Sequence, residues 1–150
     1  MVKKLCKTLA LLFFSMTPLI IGCNNAFLEV PTRVKLVEDS NPPAFEVSGN
    51  GTSPIFLMFG PYEGDYGKNG DPPPLWEIDP KPEAQRIEVN KYSPFTYGQI
   101  PAGYMQKKPM NNQIPALLEG KEYHFYVHVN SASGGGTCFR IQNQKAVSCK

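Results

Sequence analysis

Alternation of apolar and polar residues begins near Thr32, where Val34 and Leu36 point one way and Arg33, Lys35 and Val37 the other. That period of two predicts a first strand over Thr32 to Glu38. After Asn41-Pro42-Pro43, Phe45 and Val47 alternate with Ala44 and Glu46 in a second strand, closed by the turn residues Ser48 to Thr52. Ile55 to Phe59 is a continuous apolar run too short for a helix, which predicts a central strand covered on both faces. Leu75 to Ile78 follows, with Trp76 and Ile78 on one side and Glu77 and Asp79 on the other. Ile87 and Val89 mark another strand, with Arg86, Glu88 and Asn90 facing water, and Tyr92, Phe95, Tyr97 and Ile100 form a partly extended stretch. Two loops, Gly60 to Pro74 and Ala102 to Pro115, interrupt the pattern. The clearest strand is Tyr123 to Val129, where Tyr123, Phe125, Val127 and Val129 form an apolar row opposite His124, Tyr126 and His128.

Proline and glycine reinforce this reading. From Cys23 onward the chain carries 14 of its 15 prolines and 12 of its 13 glycines, spread without a fixed period. Proline removes a backbone donor and glycine weakens helices, so the chain reads as short strands joined by turns. Before the best strand stands Leu118-Glu119-Gly120-Lys121-Glu122-Tyr123. A leucine, a glycine and then a tyrosine opening an alternating strand resembles the tyrosine corner of fibronectin type III and immunoglobulin-like domains. The resemblance implies that the Tyr123 hydroxyl bonds back to nearby backbone and that Trp76 or Phe56 anchors the core. The expected fold is therefore all-β, a single immunoglobulin/fibronectin III-like antiparallel β-sandwich over residues 27–150.

The amino-terminal region has a different character. Lys3, Lys4 and Lys7 precede a mostly apolar run from Thr8 to Ile21, the arrangement of a secretory signal peptide. Leu19-Ile20-Ile21-Gly22-Cys23 then resembles the lipobox of bacterial lipoproteins. That resemblance implies removal of residues 1–22, diacylglycerol on the Cys23 sulfur, a short tether over 23–26 and attachment to the membrane through acyl chains. Asn24, where an aspartate would favour the inner membrane of enteric-type bacteria, implies the outer membrane, facing the periplasm or the cell surface. An uncleaved anchor fits less well, because the run is shorter than the roughly 20 apolar residues of a spanning helix and contains Pro18. An ordinary signal peptide with an incidental cysteine is the other alternative.

Loss of the signal removes three of 15 basic residues and none of the 13 acidic ones, so the mature chain is about one unit negative. No basic cluster is left to attract nucleic acid, and Lys107-Lys108 reads as a solvated pair. With Cys6 lost in the signal and Cys23 acylated, Cys138 and Cys149 are the last two cysteines, which export makes a disulfide. Gly134-Gly135-Gly136 reads as a flexible connection into a terminal hairpin, Thr137 to Cys149, folded about Asn143-Gln144 so that 138 lies opposite 149. Because bridging needs close Cβ atoms, a non-hydrogen-bonded pair and hence a four-residue loop, Gln142 to Lys145, is expected.

Candidate chemistry is sparse. His124 and His128 would share a metal on a helix, but on a strand they lie roughly 13 Å apart. Glu77 and Asp79 share a strand face, as a solvated pair rather than the carboxylates of a glycosidase. Asp65, Asn69 and Asp71 have a spacing faintly like a calcium loop without its glycine or distal glutamate. No nucleophile, cofactor-binding or phosphate-cradling pattern appears. Tyr62, Tyr66, Tyr92, Tyr97 and Tyr104 lie in or beside proline- and glycine-rich loops and are candidate contact residues. The expected function is a non-enzymatic, lipid-anchored envelope module that binds a protein or glycan, or serves a structural role. A periplasmic inhibitor or immunity lipoprotein acting on a toxin or lysozyme is the alternative, and an envelope hydrolase the third.

Overall fold

The computed structural model describes residues 30–61, 73–84, 86–130 and 132–149. Nine strands run through them: β1 Arg33–Val37, β2 Ala44–Ser48, β3 Thr52–Phe59, β4 Trp76–Pro80, β5 Phe95–Thr96, β6 Tyr104–Lys108, β7 Glu122–Asn130, β8 Gly135–Gln142 and β9 Lys145–Ser148. They form two antiparallel sheets, one of three strands in the order β1-β2-β5 and one of six in the order β6-β4-β3-β7-β8-β9. The described residues contain no helix. The fold is an all-β, immunoglobulin-like antiparallel sandwich with a disulfide-closed terminal hairpin.

Alternation explains which side chains meet between the sheets. Phe45 and Val47 of β2 point inward with Phe95 of β5, against Phe56, Trp76, Phe125 and Phe139 of the larger sheet. Phe45 stacks on Phe125 with centroids 4.0 Å apart, and Phe56 on Phe95 at 4.1 Å, so two ring pairs bridge the layers. Rings held this way contribute about 0.5–1.5 kcal/mol per pair beyond the burial of their area. Trp76 and Phe56 are both fully buried, as the core anchors must be. The Leu118 backbone N–H donates to the Tyr123 hydroxyl at 2.8 Å, which is the back-bond expected of a tyrosine corner.

Five expectations are corrected. Ile87 and Val89 are buried, yet they form no strand beyond a single bridge between Thr52 and Glu88. The cause lies in β3, where Pro54 has no donor to give, the register shifts between Thr52 and Ile55, and Ser53 takes φ 49° and bonds to the Ile87 carbonyl. Second, β3 is buried on one face only: Pro54, Phe56 and Met58 turn into the core, while Ile55, Leu57 and Phe59 are half-buried on the outer face. Third, the segment from Ala102 to Pro115 contains strand β6. Its inward Gln106 hides the alternation, since that amide is held inside by the Trp76 indole N–H at 3.0 Å and by the Pro109 carbonyl at 2.8 Å.

The terminal hairpin supplies the fourth correction. Gln142 pairs with Lys145, leaving a two-residue turn in which Asn143 and Gln144 have φ 51° and 63°. Two successive positive φ values make a type I′ turn, whose twist matches that of the strands. Glycines 134–136 are also not a loose connection, since Gly135 and Gly136 belong to β8. A Cβ on Gly135 would lie 2.2 Å from the Thr32 carbonyl oxygen, and Cβ atoms on Gly134 and Gly136 would strike Tyr126. The glycines let β1 and the Tyr126 ring approach the backbone of β8 closely.

Candidate functional site: the loop end opposite chain entry

The antiparallel order sorts the turns to two ends. The chain enters at Val30–Thr32, beside the β2–β3 turn and the β7–β8 turn, where Val30 N–H donates to the Asn50 side-chain oxygen and Thr32 N–H to Ser133. The β1–β2 turn, the β6–β7 segment and the β8–β9 turn lie at the opposite end. This second end exposes the large apolar side chains Met110, Ile114 and Leu118, with Met110 at 92% exposure. A groove of about 460 Å³ runs there between Asn41-Pro42-Pro43, Ile114 to Leu117, Tyr97 and Gln144.

The groove has rigid walls. The Tyr97 hydroxyl donates to the Pro115 carbonyl at 2.6 Å, while Tyr97 N–H donates to the Pro43 carbonyl at 2.8 Å, so one buried residue joins both banks. Burial pushes its phenol pKa well above the ordinary value, with Tyr123 adding to the effect, so it stays a neutral donor. Glu119 accepts from Asn143 N–H at 2.6 Å and Gln144 N–H at 3.1 Å, fixing the β8–β9 turn against the β6–β7 segment. Proline in three of the lining positions lowers the entropy lost when a ligand is held.

Of the five candidate tyrosines, the three that the structure describes do not form an exposed contact set. Tyr97 and Tyr104 are buried at 5% and 2% exposure, and half-buried Tyr92 donates its hydroxyl to the Ala102 carbonyl and meets Tyr104 edge to face. Their rings pack over the core, because loops this rich in proline and glycine supply little other apolar cover. Tyr62 and Tyr66 lie outside the described residues, as do Asp65, Asn69, Asp71 and the lipobox with Cys23. The sequence pattern does not single out Met110 and Ile114, and it marks Leu118 only as part of the tyrosine corner, because all three sit in a segment without alternation.

The remaining candidates do not converge. His124 and His128 pair with Phe59 and Ile55 on the outer face of the six-stranded sheet, two positions apart along one side of β7. Desolvation lowers the His124 pKa from 6.5, while Glu122 opposes that shift. Asp79 is raised above 3.8 by burial and then by Glu77, with Lys107 opposing, and Glu77 instead pairs with Lys108 at 3.5 Å. Glu122, Cys138 and Cys149 bring potential ligand atoms within 4.8 Å of one another. Both sulfurs, however, are bonded to each other, so neither is a thiolate. Comparison of the chain with protein-family models, curated proteins and solved structures finds no match.

Proposed function

We propose that this chain is a lipid-anchored module of the bacterial cell envelope that binds a protein partner through its loop end and performs no catalysis. The observation that carries this reading is the separation of the two ends. Cys23, the lipidated residue of the lipobox reading, precedes Val30 by seven residues, which limits the acyl chains to about 25 Å from the point where the chain enters. Met110, Ile114 and Leu118 are exposed on the β6–β7 segment at the other end, where Ile114 also lines a groove with hydrogen-bonded walls. Exposed apolar side chains at a rigid surface suit burial against a protein, whereas a glycan would call for a denser set of polar groups. The outer membrane is the proposed location, with Asn24 as the sorting signal.

Site-specific photocrosslinking in intact cells tests this. A photoreactive residue at position 118 should give a discrete adduct that Met110→Glu and Ile114→Glu abolish, and the same residue at position 130 should give none. Adducts of equal yield at both positions would refute a loop-end site. Cys23→Ser should leave the precursor uncut and without acyl label; normal labelling of that variant would refute the lipoprotein reading.

A further inference from the structure

The end at which the chain enters carries a polar cleft of about 420 Å³, lined by Gly49 to Thr52 on one side and Arg86, Glu88 and Asn90 on the other. Its walls are tied together: Ser53 N–H donates to the Ile87 carbonyl at 2.7 Å, and Val89 N–H donates to the Gly51 carbonyl at 3.0 Å. Ile87 and Val89 are buried, while Arg86, Glu88 and Asn90, which alternate with them, are exposed along the cleft, the last two within the turn closed by Lys91 N–H on the Glu88 carbonyl at 3.2 Å. Glycine shapes the opposite wall. A Cβ on Gly51 would lie 2.6 Å from Val129, and Gly49 with φ 153° packs on Thr32.

We propose that this cleft docks on the bilayer itself, taking the zwitterionic headgroup of a phosphoethanolamine lipid. Arg86 would bind the phosphate through its guanidinium fork, Glu88 would pair with the ammonium, and the amide of Asn90 would complete the contact. The position of the site follows from the chain. Val30, the first described residue, donates to Asn50 of the cleft wall. Seven residues from Cys23 to Val30 can span at most about 25 Å. On the lipoprotein reading, on which this inference rests, the cleft is therefore held beside the headgroup layer. One cation next to one anion matches a zwitterion and gives no reason to prefer a purely anionic lipid. Docking there sets the orientation of the domain and directs the Met110, Ile114 and Leu118 end away from the membrane.

The test uses the lipidated full-length mature protein in vesicles of phosphatidylethanolamine and phosphatidylglycerol, with a fluorophore on a cysteine placed at Ser48 or at Lys145. Lipids spin-labelled at the headgroup should quench the label at position 48 at least threefold more than the label at 145. Arg86→Ala and Glu88→Ala, both at exposed positions that leave the fold intact, should each reduce that contrast by half or more. Replacing phosphatidylethanolamine with phosphatidylglycerol should do the same, and 50 mM inorganic phosphate should not. Equal quenching at the two positions, a contrast indifferent to both substitutions, or displacement by free phosphate would overturn the proposal. Mass spectrometry of the amino-terminal peptide separates the two failures. An acylated Cys23 without the contrast removes only the docking, whereas an unacylated Cys23 removes the anchor reading as well.

Discussion

The backbone N–H of Cys149 donates to the carbonyl of Cys138 at 3.3 Å, so the disulfide joins a hydrogen-bonded pair at the open end of the β8–β9 hairpin. The Cα atoms stand 5.5 Å apart, the spacing normal for such a pair. A side-chain bridge and a backbone bond therefore hold the same register. They share it with the two-residue turn, where Gln142 faces Lys145. Nothing in the hairpin needs the bridge in order to find its pairing.

Replacing both cysteines by serine should accordingly preserve the fold and lower stability. The bridge closes a loop with a sequence separation of 11. A loop of that size is worth about 3 kcal/mol in the chain-entropy model. Urea unfolding followed by tryptophan fluorescence should show that loss, with an unchanged far-ultraviolet spectrum in the folded baseline.

Gly135→Ala should be far more damaging than its place in a triple-glycine run suggests. The added Cβ meets the Thr32 carbonyl oxygen at 2.2 Å, and its nearest neighbours are all backbone atoms of Thr32 and Arg33, so no flexible side chain can yield. A loss of about 3 kcal/mol or more is expected. Gly120→Ala serves as the comparison. That site has φ 73° and nothing within 4 Å of the added atom, so only the left-handed conformation is penalised, at about 1 kcal/mol. Melting temperatures of the two variants check the order.

Glu119→Gln should loosen the β8–β9 turn by about 1 kcal/mol, because its carboxylate holds the Asn143 and Gln144 N–H groups. Gln144→Gly should act in the opposite direction. Glycine accepts φ 63° without strain, and an Asn-Gly pair is the favoured type I′ turn, so a gain of about 1 kcal/mol is expected. Denaturation midpoints decide both, and hydrogen exchange of the Gln144 amide should quicken in Glu119→Gln.

Mild acid should destabilise the protein through His124. Burial holds its pKa below 6.5, so between its folded and unfolded values the unfolded chain binds the proton that the folded chain refuses. The His124 contribution is fully present above about pH 6.5 and is lost as pH falls through the folded value. His124→Gln should flatten that part of the stability profile. Asp79 acts at lower pH with the opposite sign. Its carboxyl is raised above 3.8 by burial, so the folded state binds its proton more tightly and loses that advantage as pH rises through its folded value. Urea midpoints measured from pH 4 to 8 for both wild type and variant test the two windows.

The sandwich class, β1, β2, β4, β7 and the pairing of Cys138 with Cys149 are legible in the sequence, because each depends on local alternation or on a symmetric register, while β3 is legible as a strand from its short apolar run but not in which face it buries. Tyr123 is legible as a corner residue for the same reason: its hydroxyl reaches backbone only five residues away. Strand β6 is not, since its inward position is the polar Gln106, whose amide is satisfied by Trp76, 30 residues away in sequence. Ile87 and Val89 mislead in the other direction. Their alternation is real, but the shift forced at Ser53 and Pro54 leaves room for one bridge only.

By itself the sequence determined period, punctuation and charge, and with them an all-β domain behind a segment resembling a lipobox. These are properties of neighbouring residues, visible without knowing what lies across the fold. Tertiary structure alone decided that Tyr97 and Tyr104 serve the core and that Gly135 makes room for Thr32. It also set Met110, Ile114 and Leu118 at the end opposite Val30, with Ile114 on the wall of the proline-lined groove. Such assignments depend on which strand lies beside which and on which backbone comes within van der Waals reach. Both are fixed by packing between residues far apart in the chain.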